Sequence, residues 1–433
     1  MVTRENLPET LPVTEEAAVP PQTEFREIDI QELRALQALG GPVPEEHMVL
    51  NLGPQHPSTH GVLRLLLELE GETIVNCIPD IGFLHTGIEK NIEAKTYIKG
   101  LTLTDRIDYL NPPMNNLAYS LAVEKLFGVT DRIPLRAQYL RVILCELYRI
   151  ASHLVWLGTH ALDLAAMSVF LYCFREREHI LDIMEMVSGA RMMTSYIRPG
   201  GVWRDVPEGF EEAVRAFLDY FPPKIDEYEA ILTHNPLWLE RTKGIGVISA
   251  EDAIRWSLTG PSLRGSGVNY DVRKAQPYSS YDHFEFNIPL GTNGDVYDRY
   301  LCRIQEMRES LKIIRQALDN LPKGPVVIDD RKIVPPPRSE LSKSMEALIH
   351  HFKLWTEGFH PPAGEVYVAI ESARGEYGCY IRSDGSNKPA RCHFRTPSFA
   401  NLQALPVLAK GHLVADLVAI IGSIDIVLGD VDR

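Results

Sequence analysis

The stretch Leu50–Gly61 reads LNLGPQHPSTHG and leads directly into the apolar run Val62–Glu70, VLRLLLELE. Proline fixes the backbone φ angle and glycine frees it, so a segment rich in both predicts a loop of defined shape. The alternating leucines behind it predict a strand that holds the loop. The loop carries His56 and His60, and loops on rigid scaffolds often present imidazole to a bound partner. The alternative is a tight turn whose histidines only cap neighbouring backbone, and the loop alone leaves both open.

The composition is that of a large globular protein, with 433 residues, 45% of them hydrophobic, and a formal net charge of −14. So acidic a chain is poorly suited to binding a phosphate backbone as its main task. The six cysteines include no CxxC pair, which excludes the usual zinc and iron–sulfur spacings within this chain. A disulfide framework is implausible with so few cysteines, and we expect reduced thiols.

The apolar stretches Ala161–Phe174 and Leu413–Leu428 are both interrupted by aspartate, whereas a membrane-spanning helix needs about 20 apolar residues. The N-terminus is acidic and proline-rich and shows no signal peptide. We therefore expect a protein that is soluble or peripheral to a membrane. Neither a GxGxxG nor a GxxxxGK[ST] phosphate loop can be read, so the chain is not expected to bind NADH by itself.

Periodicity predicts an α+β fold, mainly α, with a central helical bundle and small β-sheets at its ends. We divide the chain into four parts. Residues 1–48 form a flexible N-terminal arm with one short helix, Glu27–Leu39, and residues 49–110 form a small β region that carries the histidine loop. Residues 111–320 form the core of the bundle, and residues 321–433 form an α+β region packed on it.

The β region begins with a hairpin, in which the strand after the loop turns at Gly71-Glu72 into Thr73–Ile78. Helical spacing of apolar residues begins at about Asn116. The further elements expected are helices Ala161–Val187, Phe210–Phe221, Lys224–Thr233, Val296–Leu318 and Lys343–Glu357, a loop-rich region Gly244–Pro289, strands Glu365–Ile370, Gly378–Ser383 and Arg391–Thr396, and a buried helix with a tail over Leu413–Arg433.

Two charge pairings are also predicted. Glu306 lies on a long charged helix, and we expect it to pair with basic residues one turn away on that helix. Glu371 and Arg374 lie where a strand runs into a loop, and we expect them to hold each other rather than act on a ligand.

Two further segments hold candidate functional side chains. Tyr109 ends a polar cluster just before a double proline, and it is either half-buried packing or a phenol facing a cavity beside an imidazole. Asp163 shares a helix face with Thr159 and His160 in an otherwise apolar helix. A carboxylate there costs free energy unless it is paired, so Asp163 is either a structural anchor or a group that tunes a nearby histidine.

Ten segments in colinear order, covering about Leu50 to Arg433, resemble the D-subunit family of bacterial NADH–quinone oxidoreductase (respiratory complex I). This family is related to the large subunits of nickel–iron hydrogenases, so the resemblance implies a hydrogenase large-subunit-like fold. The segments are GPQHPSTHGVLRL, IGFLHTGIEK, DRIDYL, THALDL, SGARMM, YIRPGGV, LRGSGVNYDVRK, EGFHPPAGEVYV, ESARGEYGCYI and the final GDVDR.

This chain lacks the metal-binding cysteine motifs of the hydrogenases. Those relatives hold nickel and iron with two CxxC motifs, whereas the corresponding places here, Leu84–Gly87 and Ser423–Leu428, contain no cysteine. Without thiolate ligands the dinuclear metal centre cannot form, and no metal is expected in this chain. The resemblance implies that the remaining cavity receives a quinone headgroup.

Carried over by position, the resemblance implies that His60 and Tyr109 hydrogen-bond the two ends of the headgroup. The resemblance further implies that Asp163 is the carboxylate that partners His60, and that His56 on the same loop and Thr159 on the same helix also lie at the headgroup. Reduction of quinone to quinol consumes two electrons and two protons, so the cavity needs groups that can give up protons. A phenol and an imidazole tuned by a carboxylate are such groups.

The implied electron source lies outside this chain. It is the terminal iron–sulfur cluster of the neighbouring B subunit, close to Leu84–Glu89, with FMN in another partner. The implied partners are the B, C and I subunits and the H subunit in the membrane, together with ubiquinone or menaquinone, and no nucleic acid. The resemblance places the chain on the cytoplasmic side of the bacterial cell membrane as a peripheral part of a proton-translocating NADH–quinone oxidoreductase.

Two positions depart from the family pattern. Some relatives have arginine where this chain has Thr86, and many have histidine where it has Met193. We therefore predict a terminal cluster whose reduction depends less on pH, suited to a lower-potential quinone such as menaquinone. A redox titration with a full one-proton slope contradicts this.

Three other hypotheses remain at the level of sequence. The first is a hydrogenase large subunit, which the missing CxxC pairs disfavour. The second is a structural scaffold without a part in catalysis. The third keeps the quinone site and replaces NADH by ferredoxin or coenzyme F420 as the electron donor, which this chain cannot distinguish because the donor binds elsewhere.

Overall fold

A computed structural model describes residues 47–433, and its first sheet confirms the predicted hairpin. The strands β1 (Met48–Leu52), β2 (Arg64–Glu70) and β3 (Thr73–Asp80) are antiparallel, with β2 in the centre, and the turn between β2 and β3 lies at Gly71 and Glu72. The predicted helix Glu27–Leu39 lies outside the described residues. One face of the sheet is buried, with at most 2% exposure of Leu63, Leu65, Leu67 and Leu69.

The described chain is mainly helical, as predicted. The helices before residue 250 are α1 (Ile88–Glu93), α2 (Tyr97–Thr104), α3 (Pro112–Phe127), α4 (Leu135–Asp163), α5 (Met167–Ser188), α6 (Phe210–Tyr220), α7 (Pro222–Leu232) and α8 (Pro236–Thr242). The later helices are α9 (Ala250–Arg255), α10 (Pro261–Arg264), α11 (Val272–Ala275), α12 (Val296–Asp319), α13 (Arg338–Leu341), α14 (Met345–Thr356), α15 (Pro397–Leu402), α16 (Leu405–Ala409), α17 (Val414–Ile424) and α18 (Leu428–Asp432). The strands are β1 (Met48–Leu52), β2 (Arg64–Glu70), β3 (Thr73–Asp80), β4 (Ile197–Arg198), β5 (Gly201–Val202), β6 (Gly364–Ser372), β7 (Gly375–Ser383) and β8 (Arg391–Arg395).

The bundle is centred on α4, which has 29 residues and packs along α5 and α12. The predicted helix Ala161–Val187 is wrong at its start, because Ala161 belongs to the last turn of α4 and α5 begins only at Met167. Between the two helices Ala165 has a φ of 68°, in the left-handed region that does not continue a right-handed helix. Asp163 is therefore the last residue of α4, not a residue inside an apolar helix.

Other predicted ends shift by a few residues where proline begins a helix. The first bundle helix, expected from about Asn116, begins at Pro112, and the expected break at Pro222-Pro223 is the first turn of α7. Proline is well accepted at these positions because the first N–H groups of a helix have no partner within it. The region Gly244–Pro289, predicted as loop-rich, also contains the short helices α9 to α11. The division into four parts stays a prediction.

Both predicted charge pairings are wrong. Glu306 is buried, and its carboxylate lies 2.9 Å from His153 Nε2 and also pairs with Arg264. Glu371 likewise pairs with Arg264, at 2.8 Å, and not with Arg374. The reason is burial, because charges removed from water require close partners and here the bundle supplies them from other elements.

The C-terminus is a buried element, not the predicted tail. The sheet β6–β7–β8 is antiparallel and is followed by α15 to α18, and every residue of α18 is buried. Leu417, Ile420 and Ile424 of α17 belong to the same hydrophobic core as the leucine face of β2. This packing brings the end of the chain against the loop that precedes β2.

Candidate functional site

The histidine loop is fixed by backbone contacts. A short 3-10 turn, Pro57–Thr59, lies between His56 and His60. His56 begins the turn, and its Nδ1 accepts a hydrogen bond from the Ser58 N–H at 3.2 Å. His56 thus caps neighbouring backbone, as in the second of the two alternatives for this loop. Thr59 is fully buried, and its hydroxyl donates to the His56 carbonyl at 2.8 Å. These contacts give the loop a defined conformation, as its glycine and proline content predicts.

His60 has a different role from His56. It ends the turn with a φ of 55° and a ψ of 30°, and its Nε2 lies 2.7 Å from Oδ2 of Asp163 at the end of α4. Both side chains are only 10% exposed. The predicted pairing of His60 with Asp163, across 103 residues of sequence, is thus present. Because Nε2 is engaged, Nδ1 is the ring nitrogen that remains for a ligand.

Tyr109 lies against the same C-terminal segment as the histidine loop. A methyl group added at Gly429 would lie 2.9 Å from Cε1 of the Tyr109 ring. A methyl group added at Gly61 would lie 2.8 Å from Cδ1 of Leu428. Tyr109 and the residue next to His60 therefore contact two consecutive residues at the start of α18. The half-buried position of Tyr109 agrees with either alternative given for it above.

Thr159 and His160 do not join this cluster through hydrogen bonds. The Thr159 hydroxyl donates to the carbonyl of Val155 in its own helix at 3.0 Å. His160 is fully buried, with its ring stacked on Trp156 at 5.6 Å between centroids and edge-on to Trp238. Burial holds the pKa of His160 well below its ordinary value, and the nearby His60 lowers it further.

The sequence patterns did not predict the buried charges next to Tyr109. Arg374, which is fully buried, donates to Asp108 at 2.7 Å and to Asp425 at 3.4 Å. Burial raises the pKa of Tyr109, the charge of Asp108 raises it further, and Arg374 opposes them. The phenol is therefore held in its protonated form. The one available signal was that Asp108 directly precedes Tyr109 in the sequence.

The segment Leu84–Gly87 also meets the C-terminus. The backbone N–H of Leu84 donates to Oδ2 of Asp432 at 2.7 Å, and the N–H of Gly82 donates to Oδ1 at 2.8 Å.

Of the two positions that depart from the family pattern, Thr86 is exposed and Met193 is half-buried. Within residues 47–433 no three side chains of His, Cys, Asp or Glu are grouped to hold a metal ion. The consequence predicted for Thr86 and Met193 stays a prediction.

A cavity of about 780 Å³ lies elsewhere in the described part of the chain. Its walls include Trp203, Trp355 and the proline run 335–337, and none of the predicted site residues lines it. The histidine loop combines an imidazole paired with a carboxylate and, beside the same C-terminal segment, the half-buried phenol of Tyr109.

Comparison with known proteins gives one consistent result. A family model described as the 49 Kd subunit of respiratory-chain NADH dehydrogenase matches residues 163–433. The chain belongs to this family. The D subunit numbered 2 of the NADH-quinone oxidoreductase of Roseiflexus sp. (strain RS-1) is 66% identical over 392 residues, which cover 90% of this chain and 94% of the relative. The D subunit of the same enzyme in Geotalea uraniireducens (strain Rf4) is 58% identical over 388 residues, covering 90% of this chain and 99% of the relative.

Membership confirms the resemblance drawn from the ten motifs, and with it the hydrogenase large-subunit-like fold. The chain is a subunit of the NADH–quinone oxidoreductase complex, an enzyme of respiratory electron transport. Within residues 47–433, no helix combines the length and the apolar character that crossing a membrane requires.

Proposed function

We propose that this chain forms the wall of the quinone cavity in its oxidoreductase complex, with His60, Tyr109 and Asp163 at the headgroup. The observation that carries the proposal is the hydrogen bond from His60 Nε2 to Asp163 at 2.7 Å. It joins the loop to the end of α4 and leaves Nδ1 of His60 available to one carbonyl oxygen of the substrate. Tyr109, beside the same C-terminal segment, donates a hydrogen bond to the other carbonyl oxygen.

The chemistry follows from these positions. When quinone takes up two electrons, each of its two carbonyl oxygens becomes a hydroxyl and needs one proton. The Tyr109 hydroxyl supplies one proton, and the imidazolium of His60 supplies the other through Nδ1. The carboxylate of Asp163 stabilises the imidazolium and fixes the orientation of its ring. His56 and Thr159 contribute to the wall of the cavity and not to proton transfer, because their side chains are already hydrogen-bonded to backbone groups.

The proposal takes the rest of the reaction from partner proteins. Electrons arrive from the terminal iron–sulfur cluster of the B subunit, which faces the segment around Leu84–Glu89, and FMN belongs to a further partner. The C and I subunits and the H subunit in the membrane complete the surroundings, on the cytoplasmic side of the cell membrane. The relatives' names favour NADH as the source of electrons. A ferredoxin-linked or coenzyme F420-linked complex is the second candidate, and the proteins that co-purify with this chain distinguish the two.

The test is the substitution Tyr109→Phe in the assembled complex. We expect the rate of quinone reduction to fall by about 10- to 100-fold, because one proton donor is lost while the packing of the ring is kept. The control is Tyr139→Phe, which likewise removes a tyrosine hydroxyl, in this case one that lies 3.1 Å from Nδ1 of His283. We expect it to change the rate by less than about twofold. An unchanged rate in fully assembled Tyr109→Phe complex would favour the structural-scaffold hypothesis.

A further inference from the structure

Beneath Tyr109 lies an excess of buried carboxylates. Asp108, Asp425 and Asp430 are at most 3% exposed, and the charge of each raises the pKa of the buried Arg374 guanidinium. Arg374 donates to Asp108 at 2.7 Å and to Asp425 at 3.4 Å. Asp425 also lies 4.0 Å from Arg303. The cations of this cluster are thus engaged by two of its three carboxylates.

Asp430 is the third carboxylate, and within residues 47–433 it has no salt-bridge partner. Its Oδ2 accepts the backbone N–H of Ser398 at 3.0 Å, while its Oδ1 is buried without a hydrogen-bond partner. A fully buried carboxylate with a bare oxygen and no salt bridge is costly when ionised. The geometry therefore favours a proton on Oδ1, and burial, followed by the charge of Asp108, raises the pKa of Asp430 to about 7.

The position of Asp430 couples it to Tyr109. Asp430 follows Gly429, whose lack of a side chain lets the Tyr109 ring approach the backbone of α18. Negative charge on Asp430 raises the pKa of Tyr109, as does the charge of Asp108. The titratable groups that act on Asp430 or respond to its charge are Asp108, Tyr109, Arg374 and Tyr377, and Asp425 in turn acts on Asp108 and Arg374.

We propose that Asp430 is a positioning residue for quinone reduction, whose proton, when present, lets Tyr109 release its own proton to the substrate. This inference rests on the function proposed above for Tyr109. With Asp430 neutral, the tyrosinate left after proton transfer faces one negative charge fewer, and the transfer is easier. With Asp430 ionised, Tyr109 holds its proton more tightly and the transfer slows. Asp430 touches no substrate atom and acts only through Tyr109.

The test is the pH profile of quinone reduction in the assembled complex, compared between the wild type and Asp430→Asn. Asparagine keeps the shape of a neutral aspartic acid but cannot ionise. We expect the wild-type rate to fall about fivefold from about pH 6 to about pH 8, as Asp430 loses its proton. In Asp430→Asn this part of the fall disappears, while the rate at about pH 6 stays within about twofold of the wild type. A purely structural role would lower the rate at every pH and leave the shape of the profile unchanged.

Two further variants keep the test decisive. Asp108→Asn removes the charge next to Asp430, so the fall should move to lower pH. Asp430→Glu retains a carboxyl group and should restore a fall with rising pH. A wild-type-like profile in both Asp430→Asn and Asp108→Asn overturns the inference, and if Asp430→Asn fails to assemble, the Asp108→Asn and Asp430→Glu profiles decide alone. Loss of activity in Tyr109→Phe with an unchanged Asp430→Asn profile refutes this inference only, whereas full activity in Tyr109→Phe refutes the proposed function itself.

Discussion

His60 is held by its backbone and by its side chain. Its N–H donates to the Pro57 carbonyl at 3.3 Å, and its φ of 55° lies in the left-handed region, which costs an ordinary residue about 1–2 kcal/mol. The contacts of the loop and the hydrogen bond to Asp163 offset that cost. A residue kept in such a conformation has little freedom to reorient, so its imidazole is positioned before any ligand arrives.

The substitution His60→Gln tests this positioning at the residue scale. We expect the rate of quinone reduction in the assembled complex to fall by about 100-fold, because glutamine can occupy the site but cannot carry the transferred proton. The measurement is steady-state quinone reductase activity with the amount of assembled complex determined in parallel.

His47→Gln is the matched control. His47 Nδ1 lies 2.8 Å from Glu68, a pair that resembles His60 and Asp163 in length, and Glu68 lies on β2, the strand that follows the histidine loop. We expect the rate to stay within about twofold of the wild type. Equal losses in the two variants would assign the effect of His60→Gln to folding of the sheet and not to proton transfer.

At the scale of elements, the site depends on the close approach of α4 and α17. The indole N–H of Trp156 on α4 donates to the Gly422 carbonyl on α17 at 2.7 Å. His160, one turn further along α4, lies so close to Gly422 that an added methyl group would be 2.1 Å from its Nδ1. Glycine at 422 thus lets α17 carry the following α18 toward Tyr109 and the histidine loop.

The substitution Gly422→Ala should therefore destabilise the protein by about 1–3 kcal/mol, because the buried His160 has no room to move. Thermal unfolding of the purified complex, followed together with its quinone reductase activity, measures the effect. Gly158→Ala is the control, since a methyl group there meets its nearest neighbours at an ordinary 3.4 Å. We expect that change to be neutral or slightly stabilising, as alanine is the better helix former. Equal destabilisation by both changes would contradict the close approach at Gly422.

At the scale of the whole molecule, buried ion pairs connect elements that are distant in sequence. Arg264 on α10 is fully buried and pairs with Glu306 on α12 and with Glu371 on β6 at 2.8 Å. Glu146 on α4 pairs in turn with Arg273 on α11 at 3.1 Å. The bundle, the loop-rich region and the C-terminal sheet are therefore linked by charges as well as by apolar packing.

The substitution Arg264→Met should destabilise the chain by about 3–5 kcal/mol, because it leaves two buried carboxylates without their shared cation. Chemical denaturation of the purified chain measures this loss. Arg215→Met is the control, as it removes an exposed arginine that lies 2.7 Å from Asp319, and it should cost at most about 1 kcal/mol. Similar losses in both variants would show that the buried network contributes little.

The difference in stability between the wild type and Arg264→Met should also depend on pH. Burial by itself raises the pKa of Glu306, but Arg264 and the hydrogen bond from His153 hold it below its ordinary value. A carboxyl group with a lowered pKa in the folded state stabilises the protein above its unfolded pKa of about 4.3, and this contribution is lost as the pH falls. Below about pH 4 the wild type should therefore lose stability more steeply than Arg264→Met. Parallel acid denaturation curves for the two proteins would contradict this.

Much of the fold could be predicted because it depends on local patterns. Alternating leucines identified the strand β2, and the glycine and proline spacing identified the loop before it. The predicted helix boundary was wrong where the backbone changes direction without a glycine or a proline, as at Ala165 between α4 and α5. The pairing of His60 with Asp163 was found through the family resemblance and not through spacing, since 103 residues separate the two.

The sequence by itself determined the hairpin, the helical bundle, the family and the identity of the candidate residues, because periodicity, turn chemistry and motifs are properties of neighbouring residues. Only the tertiary structure decided which buried charges meet. It placed Glu371 beside Arg264 instead of Arg374, and within residues 47–433 it left Asp430, which follows the glycine that Tyr109 contacts, without a salt bridge. Electrostatic interactions act through space and depend on burial, so the environment of a charged side chain is set by packing between elements that the sequence keeps far apart.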